Sequence, residues 1–469
     1  MEEGKSQFDL VVIGGGPGGY GAALYGAAAG LDVAIVEMDK LGGTCLHVGC
    51  IPAKELLETA SVLRTVREAE AFGIKTSSPE LDMSQLMARK QGVIDQLAGG
   101  VEGLLHRRKV TVYKGIGQLG KNKTVRITGQ NEETQTITGT NIILASGSKP
   151  RTIPGFDIDG KLIVTSDQLL SITKIPSRVV IIGGGAIGAE FASALNDFGS
   201  TVTIVEALPQ ILTGCDVDLA KVVERAFRKR GIDIRTGILV QGHDPQGEET
   251  IVRLEDGETI EADMVVLCVG RRPFSDLLGL EQAGIKVSDD GFVPVDAFCE
   301  TTDTGTYAIG DLVNTPQLAH VAFAEAIMAI KRICGETASP VDYKKVPWAI
   351  YCHPEVAFAG LSESDAIEAG YEVAVSKNRY SGNGRAMIVG ETDGLVKVVA
   401  EKLPDGSLGQ ILGVHMAGPW VTEQIGQGYL AVNWEATVGE VAEFIQPHPT
   451  LSELFGETVM SLTGRALHG

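Results

Sequence analysis

Phe8-Asp9-Leu10-Val11-Val12-Ile13-Gly14-Gly15-Gly16-Pro17-Gly18-Gly19 begins as a short apolar run and ends in a glycine cluster. Residues 8–13 suit a strand buried in a parallel sheet. Gly14, Gly16 and Gly19 follow at the spacing G-x-G-x-x-G. The small residues after them predict a helix over 18–30, and residues 32–36 predict a second strand that ends in Glu37. In such a unit the glycines permit a tight turn, close backbone approach to a pyrophosphate and close helix–sheet packing. The helix N-terminus attracts the phosphates and the acid accepts a ribose hydroxyl. Strand, glycines, helix, strand and acid occur in the required order, so the unit reads as a dinucleotide-binding fold.

The pattern recurs. Ser177-Arg178-Val179-Val180-Ile181-Ile182 is a second apolar strand, and Gly183-Gly184-Gly185-Ala186-Ile187-Gly188 repeats the glycine spacing. A helix is expected through about Phe198, then a strand over 201–205 ending in Glu206. The two acids stand at the same distance from their first glycines, which makes this an internal repeat. Two units imply two dinucleotides. A carboxylate at Glu206 bonds a free 2′-hydroxyl and repels a 2′-phosphate, and Ala207-Leu208-Pro209 supplies no arginine, so NAD is the expected nicotinamide cofactor. The alternative is that Glu206 only terminates its strand.

Between the repeats lies Gly42-Gly43-Thr44-Cys45-Leu46-His47-Val48-Gly49-Cys50-Ile51-Pro52-Ala53-Lys54. It reads as a glycine-rich turn that opens into a helix, with Leu56, Leu57, Ala60 and Leu63 on its apolar face. Pro52 suits a first helical turn. Cys50 is therefore expected at or just before a helix N-terminus, whose partial positive charge favours thiolate. Two such thiols in a short loop can form a disulfide that opens and recloses. From this stretch alone, a structural disulfide, a half-built metal site and two buried thiols stay open.

Composition narrows the field. The chain has 469 residues, 44% hydrophobic and 21% charged, enough for three or four domains with their own cores. The net charge of −20 argues against a nucleic-acid binder and against attraction to anionic membranes. No leading segment resembles a signal peptide and no apolar run reaches transmembrane length. Seven cysteines is an odd count in a long chain, unlike a secreted disulfide framework. Cys215, Cys268, Cys299, Cys334 and Cys352 are scattered, and Cys268 reads as a small core residue. His106, His243, His320, His353 and His415 lack ligand-like spacing, so no metal site is expected.

Residues 110–113 and 124–128 read as strands of a small meander, with 136–138 a third. Residues 141–147 form another buried strand leading into a Gly/Ser turn, and 148–154, with two prolines and two basic residues, suits a domain crossing. Residues 264–269 close the second unit, and Gly270-Arg271-Arg272-Pro273 leaves it. Asp311 follows an apolar strand and Gly310, placed either to bond a polyol chain or to act as an ordinary turn residue. A helix is expected over 319–334. After Val346, residues 348–358, 373–380, 394–400 and 411–416 alternate as strands of an antiparallel sheet, with helices over 363–369, 422–432 and 438–443. Near the end, Pro447-His448-Pro449-Thr450-Leu451-Ser452-Glu453 has two readings. One is a Thr450-x-x-Glu453 capping box, the other a histidine base held by a carboxylate.

Taken together, residues 42–54, both glycine fingerprints, Tyr307-Ala308-Ile309-Gly310-Asp311 and His448-Pro449-Thr450-Leu451-Ser452-Glu453 resemble the FAD-dependent pyridine-nucleotide disulfide oxidoreductases. The likeness covers nearly the whole chain and is strongest to the branch that oxidises protein-bound dihydrolipoamide. It implies an α/β fold with two Rossmann-like FAD- and NAD-binding domains plus a C-terminal α+β dimerisation domain. The expected boundaries are 1–150 (FAD, with the redox disulfide), 151–277 (NAD), 278–347 (a central part completing the FAD site) and 348–469 (interface). By resemblance, Gly14, Gly16, Gly19, Glu37, Lys54, Gly147 and Asp311 hold FAD, and Lys54 pairs with Glu190 on the second nucleotide helix. Gly183, Gly185, Gly188, Glu190, Glu206 and Gly270 hold NAD. Cys45 exchanges with substrate, Cys50 lies next to the flavin, and the two form the redox disulfide. His448 is the acid/base, oriented by Glu453, and reaches the cysteines of the other subunit of a homodimer.

The implied reaction passes electrons from dihydrolipoamide through the Cys45–Cys50 disulfide and FAD to NAD⁺. The implied partner is a separate lipoyl-bearing acyltransferase or H-protein, in the cytoplasm, with no nucleic acid and no membrane. Related NAD(P)H-dependent disulfide reductases share the cysteine motif, but Glu206 disfavours NADPH. Mercuric reductases usually end in a vicinal cysteine pair, and the tail Leu462-Thr463-Gly464-Arg465-Ala466-Leu467-His468-Gly469 has none. Soluble transhydrogenases typically lack the second cysteine, which is present here as Cys50. A mainly docking role in a multienzyme complex is the alternative of another class.

Overall fold

The computed structural model describes residues 6–468, in two compact units. The first combines the N-terminal segment through Glu55 with Asp82–Arg151 and Gly270–Tyr343. Its sheet runs in the order Thr111–Lys114, Val33–Glu37, Gln7–Ile13, Thr134–Leu144, Thr124–Thr128, Ile116–Leu119, and Thr306–Ala308 also pairs with Thr134–Leu144. The strands around Gln7–Ile13 are parallel, with Leu10 opposite Val33 on one side and Asn141 on the other. Leu10, Val11 and Val12 are fully buried, as the unbroken apolar run requires of a strand covered on both faces. Helix Pro17–Ala28 packs on helix Ala319–Ile333 through Gly18 and Gly21. A Cβ on Gly21 would meet the Phe323 ring at 2.8 Å.

Two expectations are corrected here. Residues 110–113 do not belong to a meander. Thr111–Lys114 is the parallel edge strand beside Val33–Glu37, with Val112 opposite Ile35. The meander is formed by Ile116–Leu119, Thr124–Thr128 and the first half of Thr134–Leu144. That last strand is continuous, so the third meander strand and the buried strand are one element. Its exposed start pairs antiparallel and its buried end pairs parallel, so burial changes along it while the backbone does not break.

The second unit comprises Leu56–Leu81, Thr152–Val269 and the chain from Lys344. Its parallel sheet runs Asp233–Thr236, Thr201–Glu206, Arg178–Ile182, Met264–Leu267, Ile163–Thr165, the same strand–helix–strand arrangement as the first unit. Val240–Gln246, Glu249–Leu254 and Thr259–Ala262 form a separate three-stranded antiparallel sheet. From Trp348 onward a five-stranded antiparallel sheet runs Trp348–Ile350, Glu355–Gly360, Leu408–Gly418, Leu395–Lys402, Val373–Arg379. Val396, Val398, Val414 and Met416 point into its core against Phe455 and Val459 of helix Glu453–Leu462. Full burial of each such side chain contributes about 1.5–3 kcal/mol.

The strand expected over 348–358 is two strands. Between them the backbone donors leave the ladder for helix Ala186–Phe198. The Tyr351 N–H donates to Glu190 at 2.8 Å and the His353 N–H to the Ser193 hydroxyl at 3.0 Å. Pro354 offers no N–H to the sheet.

Candidate active site

The two glycine loops are built alike. Gly14 and Gly183 adopt left-handed φ of 106° and 104°, where a Cβ would strike the carbonyl oxygens of Ala145 and Cys268 at 2.3 Å in both cases. A Cβ on Gly19 would sit 1.8 Å from the Gly14 oxygen, and one on Gly188 would sit 2.0 Å from the Gly183 oxygen. Only glycine lets each helix start so close to its strand. The middle glycines differ. Nothing lies within 4 Å of a Cβ placed on Gly185, and one on Gly16 meets only the Gly43 Cα at 4.0 Å. The open side at a helix N-terminus is the cradle a pyrophosphate requires.

Each acid closes its own loop. Glu37 accepts from the Gly15 N–H at 2.6 Å and the Asp39 N–H at 2.7 Å. Glu206 accepts from the Gly184 N–H at 2.6 Å and the Leu208 N–H at 2.8 Å. Burial raises the Glu37 carboxyl above the usual range, although these N–H donors oppose the shift. The residues fit two dinucleotides, and the second loop holds no cation for a 2′-phosphate.

The redox stretch packs directly on the first loop. The Gly42 N–H donates to the Gly15 carbonyl at 2.8 Å, and a Cβ on Gly43 would lie 2.7 Å from the Gly16 Cα. Residues 43–47 are not the expected turn but a short helix, Gly43–His47, entered through left-handed Gly42 at φ 101°. His47 Nε2 donates to the Leu41 carbonyl at 2.8 Å and ties this helix to the chain before it. Cys50 is the first residue of helix Cys50–Arg67, which starts earlier than the apolar periodicity indicates. Gly49 makes the junction possible, since a Cβ there would meet the Thr44 oxygen at 2.8 Å.

The Cys45 thiol lies within hydrogen-bond reach of Cys50. That bond and burial push the Cys45 thiol far above its ordinary range, while the nearby Lys54 ammonium pulls the other way. Tyr20, on helix Pro17–Ala28, feels both sulfurs. Burial and then the two cysteines raise its phenol, and its ring meets Phe323 edge-on at 5.5 Å.

Asp311 sits in a short 3₁₀ turn, Gly310–Leu312. The Ser148 hydroxyl donates to its carboxylate, and Arg271 Nε donates to the same hydroxyl at 2.7 Å while lying 3.8 Å from Asp311. Gly147 and Gly270 both adopt left-handed φ, of 73° and 95°. They flank the two-stranded ribbon of Ser148–Pro150 and Arg271–Pro273. Glu190 is buried on helix Ala186–Phe198, where it holds the Tyr351 N–H.

His448 Nδ1 and Glu453 Oε1 are 2.8 Å apart, and Glu453 Oε2 accepts the Thr450 N–H at 2.6 Å. The expected capping box is incomplete. The helix begins at Glu453 with Ser452 as its cap, and the Thr450 hydroxyl donates to the Pro447 carbonyl at 2.8 Å instead. One carboxylate thus carries half of the cap and orients the imidazole, leaving Nε2 outward on a ring side chain 77% exposed. Among the described residues, no cluster of three His, Cys, Asp or Glu side chains could hold a metal ion, and no helix is long and apolar enough to cross a membrane. Sequence reasoning missed Tyr20, Ser148 and Arg271. Only Arg271 carried any signal, as part of a basic pair beside Gly270 and Pro273.

Residues 8–326 match the family model described as pyridine nucleotide-disulphide oxidoreductase, and residues 346–459 match the dimerisation domain of the same family. A dihydrolipoyl dehydrogenase of Bacillus subtilis is 41% identical, over 99% of both chains. The mitochondrial dihydrolipoyl dehydrogenase of Pisum sativum is 36% identical, over 99% of this chain and 93% of its own. The solved structure of LpdA from Mycobacterium tuberculosis superposes with a TM-score of 0.90 at 26% identity, over 97% of this chain and 99% of that one. With the redox pair, two dinucleotide loops and a dimerisation domain in one chain, the protein belongs to the pyridine nucleotide-disulphide oxidoreductase family.

Proposed function

We propose that the chain oxidises dihydrolipoyl groups with NAD⁺, the activity for which its relatives are named. The observation that carries this reading is the Cys45–Cys50 pair at a helix N-terminus, packed on the glycine loop of the first nucleotide fold. The cofactors are FAD and NAD. We assign FAD to Gly14, Gly16, Gly19, Glu37, Lys54, Gly147 and Asp311, and NAD to Gly183, Gly185, Gly188, Glu190, Glu206 and Gly270. The working division of the chain is 1–150, 151–277, 278–347 and 348–469.

In the oxidised enzyme the pair is a disulfide. His448 Nε2 takes the proton of a dihydrolipoyl thiol, and Glu453 holds the ring so that Nδ1 keeps its own hydrogen. The thiolate attacks Sγ of Cys45, the Cys45–Cys50 bond breaks, and Cys50 leaves as thiolate. The second substrate thiol loses its proton and attacks the mixed disulfide, so that lipoyl disulfide departs and Cys45 takes up a proton. In this division of labour Cys45 is the sulfur that exchanges with substrate and Cys50 the one that leaves as thiolate. The helix N-terminus stabilises negative charge on Cys50. FAD held by the first glycine loop would supply the two-electron link between the thiols and NAD⁺, with Cys45 losing its proton as the Cys45–Cys50 disulfide re-forms. The match to the dimerisation domain supports a homodimer. The reading further includes a lipoyl-bearing acyltransferase or H-protein as partner, in the cytoplasm.

The test is turnover of the purified flavoprotein with NADH or NADPH against lipoamide, glutathione disulfide and Hg(II). Fast lipoamide reduction with NADH alone is expected. A preference for another acceptor, or for NADPH, would overturn the substrate assignment or the role of Glu206.

A further inference from the structure

Behind Asp311 lies a carboxylate that the reaction does not use. Glu325, on helix Ala319–Ile333, is completely buried. Its Oε2 accepts the Gly310 N–H at 2.6 Å. Its Oε1 accepts the hydroxyls of Thr315 and Tyr343, both at 2.9 Å. Burying a carboxylate is costly unless its lone pairs are filled, and here three donors from three places along the chain converge on one group. Two of them flank Asp311, Gly310 directly before it and Thr315 just beyond the turn. Gly310 itself is held at a left-handed φ of 67°. The turn therefore cannot shift without releasing a donor from Glu325. On its other side Asp311 is fixed by Ser148, which Arg271 grips through both its hydroxyl at 2.7 Å and its carbonyl at 2.8 Å.

We propose that Glu325 is a positioning residue for FAD, locking the Gly310–Asp311 turn so that the Asp311 carboxylate is preorganised to accept a hydrogen bond from the polyol chain of the cofactor. This rests on the assignment of Asp311 to FAD made above. The idea accounts for an acid at a position where leucine or methionine would bury more cheaply. A hydrophobic residue there would leave the Gly310 N–H without an acceptor inside the fold. It also separates two roles. Asp311 would touch the cofactor, and Glu325 would act only through Asp311.

A double-mutant cycle on FAD affinity tests this, read by flavin fluorescence on the refolded apoprotein, with the melting temperature of the apoprotein as control. Glu325→Ala is expected to weaken FAD by about tenfold, the loss of roughly one buried hydrogen bond. Glu325→Gln, which still accepts from Gly310, is expected to recover most of that affinity. In an Asp311→Ala background the effect of Glu325→Ala is expected to disappear, because the group it positions is gone. If Glu325→Ala does not fold, Glu325→Asp carries the same cycle, since the shortened side chain keeps the charge but loses its reach to Gly310. Equal losses in both backgrounds would overturn the proposal, and so would unchanged FAD affinity in the single variant with a lowered apoprotein melting temperature. Unchanged affinity in Asp311→Ala alone would instead strike the cofactor assignment itself, and the inference with it.

Discussion

The two ring nitrogens of His448 have different surroundings. Nδ1 faces Glu453 at 2.8 Å, and Nε2 is the atom to which the proposed mechanism gives the base role. Replacing it with Gln removes the base without removing the fold, because the side chain is largely exposed. His448→Gln is expected to retain FAD and NADH binding and NADH-driven reduction of an artificial one-electron acceptor, while lipoamide turnover falls by about 10²–10⁴-fold. Steady-state kinetics with both acceptors checks this, and near-normal lipoamide turnover would remove His448 from the mechanism. At this scale the sequence was readable where function depends on local spacing. Gly14, Gly19, Glu37 and their counterparts Gly183, Gly188 and Glu206 act within one strand–turn–helix, so their pattern survives in one dimension. Tyr20, Ser148, Arg271 and Glu325 act on groups distant in the chain. Nothing in their neighbourhood along the sequence announces the partner, and only the fold brings Ser148 to both Asp311 and Arg271.

Elements were readable to the extent that their hydrogen bonds were their own. Strands 7–13 and 178–182 and the helices after them follow from apolar runs and small residues. The stretch 348–358 failed because its middle donors belong to Glu190 and Ser193 of another element. The capping box before helix Glu453–Leu462 is only half formed, because the Thr450 hydroxyl bonds the Pro447 carbonyl while Glu453 still accepts the Thr450 N–H. A third case of shared polar groups has a consequence for stability. Lys397, in the centre of strand Leu395–Lys402, is only 1% exposed, and its ammonium lies 2.8 Å from Asp216, from Asp218 and from Glu363.

Removing the cation would leave the buried Asp216 carboxylate without its counter-charge, beside the part-exposed Asp218 and the exposed Glu363. Lys397→Met is therefore expected to destabilise the protein by about 3–5 kcal/mol at neutral pH. Asp218 sets the sign of the pH dependence. Burial works to raise its carboxyl, but hydrogen bonds from Lys377 and Lys397 outweigh it and push the pKa from 3.8 down to about 2. The folded value lies below the unfolded one, so the stability Asp218 adds is full above about pH 4 and is lost as pH falls through its folded pKa. Urea midpoints of the two flavin-loaded proteins should differ most at pH 7 and draw together only as pH falls from about 4 toward 2. A gap that stays constant with pH would show that the cluster contributes packing and little charge pairing.

The whole molecule is two related nucleotide folds joined to a domain matched to dimerisation, and the proposed reaction draws on residues far apart in sequence: Cys45 and Cys50 near the start, His448 and Glu453 near the end. Shortly before His448 in the chain, Phe444 is 56% exposed and Ile445 98% exposed. If a two-fold axis places each His448 against the cysteines of its partner, an active site belongs to the dimer and not to the chain. Mixing Cys45→Ser dimers with His448→Gln dimers under conditions that exchange subunits tests this directly. In a hybrid dimer with trans sites, one site collects both lesions and the other collects none. Random exchange makes half of the dimers hybrid, so lipoamide activity should recover to roughly a quarter of wild type from two inactive parents. With the histidine acting in its own chain, each site of every hybrid keeps one lesion, and mixing restores nothing.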